Sequence, residues 1–456
     1  MWIRIFIVSV ISLSAQLSAQ QPKGADLYKS GDYLQAASVL ESELKSTERS
    51  AETRYWLGYT YLALSARDKA IEQFEAYLKE KPSDEDVLYA LARTYAQLAE
   101  MSLQQIFRLN PNSARAYQMR AIRFELESSW LEAVEQYAKA AQIDPKLPGL
   151  YASIGRIREK ELKDQKGATS AYADELRRFP VSREANEFFA RTAAKPESTK
   201  ILRSCYQQDG GTCPAPSQAD SVSWISFLLA QNRPAEALPF LLRWRAKTPS
   251  DTDVYYLLGE SFTDLKVKTI RRLKDANPRS FRLHQLLAES FSSTHRKADA
   301  IREYRQALTL APKAPALNYE LARLLSDTEP ATAVEHLVAE LQIDPSHYLA
   351  KALLGRLYVI LQKPEAAIPV LQQATATQPD MIDARKALGQ AFAAVRMYEK
   401  ALSEYEYVAR NAPRDEQIHF LRAQALSALG RAEEAAEARN QHAAVLKEIR
   451  DAARQR

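Results

Sequence analysis

A segment of this chain occurs twice. Residues Pro82 to Arg156 align without a gap onto Pro249 to Arg323, at a constant offset of 167, and 23 of the 75 positions are identical. The shared anchors include Pro82-Ser83-Asp84 with Pro249-Ser250-Asp251, Asn110-Pro111 with Asn277-Pro278, and Phe124, Ala133, Tyr137, Ala140 and Pro145 with Phe291, Ala300, Tyr304, Ala307 and Pro312. Inside each copy the apolar residues recur with a shorter period of about 34 residues. A short period nested in a long one marks a solenoid enlarged by duplication, in which each unit buries its apolar face only against its neighbours. The 456 residues therefore need no set of separate large cores, and binding becomes a more natural expectation than catalysis.

The short unit reads alike along the chain. Leu57-Gly58, Tyr61, Ala70, Phe74 and Pro82 are spaced like Leu354-Gly355, Tyr358, Ala367, Leu371 and Pro379, and like Leu388-Gly389, Phe392, Ala401, Tyr405 and Pro413. Apolar positions at three- and four-residue intervals call for amphipathic helices. Small residues (Gly155, Gly389, Ala133, Ala300) stand where two helices must approach closely, and large ones (Phe74, Tyr137, Tyr304) fill the adjoining space. Asp144-Pro145, Asn277-Pro278 and Asp344-Pro345 stop one helix before the next begins. Only 12 glycines occur in the chain, well below the usual share of roughly 7%, as an all-helical chain requires.

These spacings resemble the tetratricopeptide repeat family, whose 34-residue pattern runs Trp-x-x-Leu-Gly-x-x-Tyr, then Ala-x-x-x-Phe, then Pro. The resemblance implies an all-α, right-handed α-solenoid of about 12 helix hairpins, arranged here in two duplicated modules. The modules are expected at residues 20–190 and 218–456, with an irregular linker at 191–217 that carries the turn signals Lys195-Pro196, Asp209-Gly210-Gly211 and Pro214-Ala215-Pro216. Units near residues 85 and 252 are about five residues short, at equivalent places in the two copies, which suggests a trimmed turn and second helix. The last unit ends in Lys447-Glu448-Ile449-Arg450-Asp451, a polar helix suited to capping a solenoid.

Compartment and partners are constrained by the rest of the chain. Met1 to Arg4 forms a short basic lead, Ile5 to Ala15 is apolar, and Gln16-Leu17-Ser18-Ala19 precedes Gln20. This reads as a signal peptide, residues 1–19, and predicts a periplasmic or secreted protein with no integral membrane span after cleavage. The apolar run would reach roughly 16 Å as a helix, against a bilayer core of roughly 30 Å. In an exported chain Cys205 and Cys213, placed around Gly210-Gly211, are expected to form a local disulfide. The net charge of +5 comes from 62 basic and 57 acidic residues mixed along the helices. A nucleic-acid binder would show a basic stripe and a reading element, and neither is present.

No phosphate loop, dinucleotide turn or His-Glu-x-x-His motif occurs, so no catalytic residue, cofactor or metal is expected, and the chain is read as a non-enzyme. His336 and Glu340, four apart on one helix, have the spacing of a metal pair but are read as a surface contact. The resemblance implies that the first helix of each hairpin lines a concave groove. Its inward positions here are Tyr55, Tyr59, Tyr89, Arg93, Arg115, Gln118, Arg156, Tyr256, Arg282, Gln285, Tyr319, Arg323 and Arg356. Tyr and Arg dominate binding hot spots, and Arg115, Gln118 and Arg156 recur in the second copy as Arg282, Gln285 and Arg323. The bland alternative is that these side chains bond to one another between repeats. The expected function is a scaffold or adaptor that holds protein or peptide partners. A polysaccharide-export component, with tyrosines stacking on sugars, and an accessory subunit of an envelope protease or assembly machine are the other readings.

Overall fold

The computed structural model describes residues 23–46, 50–179, 182–192, 225, 228–229 and 232–454. The leader at 1–19, Cys205, Cys213 and linker residues 193–217 lie outside these residues. What is described is helix and turn, without a strand. Contacts divide the chain into a central unit, Arg67–Asn277, and a flanking unit formed by Met1–Ala66 and Pro278–Arg456. This division cuts across the modules drawn from the repeat, because the central unit takes helices from both copies.

The flanking unit begins with α1 (Lys23–Ser30), α2 (Tyr33–Ser46) and α3 (Ser50–Ala63). The central unit holds α4 (Arg67–Glu80), α5 (Glu85–Leu109), α6 (Ala114–Leu126), α7 (Trp130–Ile143), α8 (Leu150–Lys160), α9 (Gln165–Arg178), α10 (Arg183–Arg191), α11 (Pro234–Lys247) and α12 (Thr252–Ala276). The flanking unit resumes with α13 (Phe281–Ser293), α14 (Lys297–Leu310), α15 (Leu317–Leu325), α16 (Pro330–Ile343), α17 (Tyr348–Ile360), α18 (Pro364–Thr377), α19 (Ile382–Ala394), α20 (Tyr398–Asn411), α21 (Ile418–Ala428) and α22 (Ala432–Arg454). Every bound of α4 to α7 reappears in α11 to α14, shifted by 167 residues. The duplication therefore reaches back to Arg67, beyond the part where identity is visible.

The same local chemistry starts the helices in both copies. Asp84 accepts from the Val87 amide at 3.0 Å, and Asp251 from that of Asp253 at 2.9 Å. Ser113 and Ser280 cap α6 and α13 by accepting from Ala116 and Leu283. Each occupies one of the amides that a helix N-terminus leaves without a partner. Helices within a hairpin meet at an alanine followed four residues later by a large side chain. Ala133 with Tyr137, Ala300 with Tyr304, Ala333 with Leu337, Ala367 with Leu371 and Ala401 with Tyr405 are all buried. At Gly389 a methyl group would come 2.5 Å from the Tyr405 ring, so the close approach excludes any side chain there. The small-and-large alternation seen in the sequence is thus a packing requirement.

The two shortened units are not trimmed hairpins. Each is one uninterrupted helix of 25 residues, α5 and α12, about 37 Å long. Elsewhere a residue of positive φ turns the chain between the two helices of a unit, as Ser128, His295, Gln362 and Arg396 do. Removing about five residues took out the turn itself, and the two helices run on as one. Within the central unit α5 and α12 pack antiparallel. Asn277, at the end of α12, donates to Glu85, at the start of α5 (2.7 Å), and Arg272 lies 3.2 Å from Glu75. Leu103 fills the space over Gly259. Tyr95 stacks on Phe262 with ring centroids 6.2 Å apart. These two residues occupy the same position in the two copies, so equivalent residues touch across a local two-fold, as in an isologous dimer interface.

At the other end, α22 buries Ala435 and Ala438 and leaves most of its remaining length exposed.

Candidate functional site

In the central unit the inward positions are largely engaged. Arg115, 6% exposed, reaches from α6 to α12. Its Nε donates to Asp253 at 2.7 Å, its Nη1 to Gln118 at 2.8 Å, and its guanidinium lies 4.2 Å from the centre of the Tyr256 ring. Gln118 donates in turn to the Tyr256 hydroxyl at 3.3 Å. Burial pushes that hydroxyl up to about 12, against the opposing charge of Arg115. Three of the residues read as groove contacts therefore form a polar lock between helices from different copies. Tyr89 is 2% exposed, and its hydroxyl accepts from Arg93 at 3.1 Å. Arg156 on α8 bridges neighbouring repeats, donating to Glu125 of α6 at 2.8 Å and lying 3.5 Å from Glu184 of α10. Glu125 also accepts from Tyr137. Arg191 and Glu159 continue this ladder at 3.5 Å.

In the flanking unit the picture is mixed. Tyr55 and Tyr59 on α3 have ring centroids 4.9 Å apart, Tyr59 is 2% exposed, and both belong to an aromatic cluster with Trp56 and Tyr28. Arg282 is buried, donates to Gln285 at 3.0 Å and lies over the Phe281 ring; Gln285 donates to Glu289. Tyr319 is buried beside the imidazole of His347, with centroids 4.7 Å apart. Arg323, by contrast, has a side chain 42% exposed that donates to Glu320 of its own helix at 2.9 Å. Arg356 is exposed and has no hydrogen-bond or ion-pair partner among the described residues. Burial pushes the Tyr319 hydroxyl up to about 12, against the opposing charges of Arg323 and Arg356.

One pair of functional-looking side chains corrects the sequence reading. Glu340 is not on the surface but fully buried, at 0% exposure. Its two oxygens accept from the amides of Ala316 (2.7 Å) and Tyr319 (3.4 Å), at the N-terminus of α15. His336 lies 2.8 Å from the Asn318 side chain instead. Glu175, likewise buried, does the same for α8 through Gly149 and Ala152. Ala316 and Gly149 both have positive φ, which turns these amides toward the carboxylate from outside the helix. Such a cap spans more than 20 residues and lies outside the usual N-cap spacing, so no local signal announces it.

Burial raises Glu340 from 4.5 to about 7, although the Ala316 and Tyr319 amides oppose the shift. A raised acid favours folding fully below its unfolded pKa, and that contribution is lost as pH rises through about 7. Glu340→Gln stays neutral throughout. The stability difference between variant and wild type should therefore move in favour of glutamine by on the order of 3 kcal/mol from pH 4.5 to pH 8. Urea unfolding of both proteins across that range measures it, and a pH-independent difference would refute the assignment.

A tetratricopeptide repeat family model matches residues 23–85, 352–405 and 386–444. These segments are tetratricopeptide repeats. The chain is 22% identical to tetratricopeptide repeat protein 21B of Mus musculus over 484 aligned positions, covering 91% of this chain and 36% of the mouse protein. The human protein of the same name is 23% identical over 360 positions, covering 75% of this chain and 26% of its own length. The chain thus spans about a third of the curated relatives it matches. Among solved structures, MamA aligns at TM-score 0.35 and 21% identity, over 38% of this chain and 94% of that one. YrrB, described as a tetratricopeptide protein with an unusual peptide-binding site, aligns at 0.36 and 21%, over 39% and 91%. Tetratricopeptide repeat proteins bind protein or peptide partners and are in general non-enzymatic scaffolds. No described helix of this chain is long and apolar enough to cross a membrane.

Proposed function

We propose that this protein is a non-enzymatic scaffold of an extracytoplasmic compartment, holding a protein or peptide segment along the first helices of its repeats. The supporting observation is the exposure of Arg323 and Arg356 on first helices of successive repeats. Arg at such positions supplies forked donors that an extended backbone or its carboxylates can use. Glu340 and Glu175, which burial pushes toward the neutral form, are occupied as helix caps, which leaves them no part in turnover. A polysaccharide ligand would need exposed tyrosine faces, and Tyr59 and Tyr89 are buried. The compartment rests on the leader read at residues 1–19, and cell fractionation tests it: full-length chain with Met1 retained in the cytosol would exclude export.

The function is tested by affinity capture from envelope and secreted extract with the chain from Gln20 to Arg456. Specific protein partners, displaced by peptides derived from them, are the expected result. Retention on a glycan array with no protein captured would replace this reading with the polysaccharide one.

A further inference from the structure

The two copies of the repeat carry the same arginines in different surroundings. Arg156 of α8 corresponds to Arg323 of α15 at the 167-residue offset, as Glu125 does to Ser292 and Glu159 to Ser326. Helix α15 is two residues shorter than α8 and the loops that follow are equal in length, so α9 and α16 begin 165 residues apart, as do α10 and α17. At that offset Arg191 corresponds to Arg356, and Glu184 to Leu349.

In the first copy both arginines are closed by carboxylates. Arg156 meets Glu125 at 2.8 Å and Glu184 at 3.5 Å, and Arg191 meets Glu159 at 3.5 Å. The second copy keeps both arginines and has lost all three of those carboxylates, to two serines and a leucine. Arg323 is left with Glu320 on its own helix at 2.9 Å and a long contact of 3.5 Å to the Ser292 hydroxyl. Arg356, in the place of Arg191, has no partner among the described residues. A lone exposed arginine means little, since surface ion pairs contribute little to stability. A matched pair of sites on one scaffold, one closed by carboxylates of neighbouring helices and one that keeps only Glu320 on the helix of Arg323 itself, means more.

We infer that Arg323 and Arg356, on α15 and α17, form a two-arginine site that takes carboxylates of an extended acidic peptide. The inference rests on the groove reading above and says where in it the ligand is held. The occupant follows from what was removed: the first copy satisfies these guanidiniums with carboxylates of neighbouring helices, and the second leaves Arg356 without one and Arg323 with only Glu320 of its own helix. Guanidinium pairs well with carboxylate in two-pronged geometry. In the first copy the same positions are sealed by Glu125, Glu159 and Glu184.

Fluorescence anisotropy with the full chain tests this, using a short labelled peptide of alternating glutamate and leucine and its glutamine counterpart. Wild type should bind the glutamate peptide about tenfold or more tighter than the glutamine one, as charge-assisted hydrogen bonds imply. The preference should weaken as salt is added. Arg323→Gln with Arg356→Gln should abolish the preference, with helicity by circular dichroism unchanged. Ser292→Glu, which restores the carboxylate Glu125 supplies in the first copy, should lower affinity for the glutamate peptide. Arg156→Gln with Arg191→Gln should retain binding. Equal binding of the two peptides, or no binding of the glutamate one, overturns the inference and leaves the groove reading to the capture experiment. So does undiminished binding by the Arg323/Arg356 variant. Loss of binding in the Arg156/Arg191 variant alone would move the site to the first copy.

Discussion

Gly259→Phe is expected to prise apart the two long helices of the central unit. A single carbon at position 259 would already fall 2.5 Å from Leu103 Cδ2 and 2.7 Å from its Cγ, and a benzyl group would have to displace that side chain from the crossing. Overpacking of this kind costs about 3 kcal/mol. The loss falls on one joint, the antiparallel crossing that also stacks Tyr95 on Phe262. Repeat arrays lose cooperativity along their length, so the informative measurement is hydrogen exchange resolved by segment. Amides of residues 85–109 and 252–276 should lose protection while α17 to α20 keep theirs. Leu103→Ala in the same chain opens room beneath the ring and should return part of the protection. Unchanged exchange in α5 and α12, or no rescue, would mean that the crossing does not hold the unit together.

Arg115→Ala should cost about 2 kcal/mol, less than breaking a fully buried ion pair, because the Asp253 left behind stays in contact with solvent. The substitution leaves Asp253 without its partner, removes the donor to Gln118 and uncovers the Tyr256 ring. A double-mutant cycle with Asp253→Ala separates the pair from the rest, with an expected coupling of about 1–3 kcal/mol. A coupling near zero would show Arg115 to be held by packing alone. The consequence for function is direct. If Arg115→Ala weakened a partner, that would not locate a binding site, because the same change loosens α6 from α12. Arg323 and Arg356 carry no comparable structural duty, and their substitution reads binding with far less disturbance of the fold.

Much of this architecture is legible in the sequence because it depends on local periodicity. Ala133 with Tyr137, Ala300 with Tyr304 and Ala401 with Tyr405 repeat a spacing that only a tight helix pair requires. Asp84, Ser113, Asp251 and Ser280 announce helix starts within three residues of the amides they cap. The shortening near residues 85 and 252 was visible too, but not which part had gone. A deletion of similar length could shorten a helix or remove a turn, and it is the absence of a positive-φ residue that makes α5 and α12 continuous.

The candidate site divides along the same line. Aligning the repeats was enough to name Arg115, Arg156, Arg282, Arg323 and Arg356 as equivalent inward positions. The state of each was decided by residues far along the chain: Asp253 lies 138 positions from Arg115, Glu125 lies 31 from Arg156, and Glu340 lies 24 from the Ala316 amide it accepts from. The sequence by itself determined the helices, their pairing within units and the duplication, since these follow from side-chain size and spacing over a few turns. Only the tertiary structure decided which polar side chains neutralise one another. That outcome depends on which charges the packing brings within hydrogen-bonding distance, and periodicity says nothing of that.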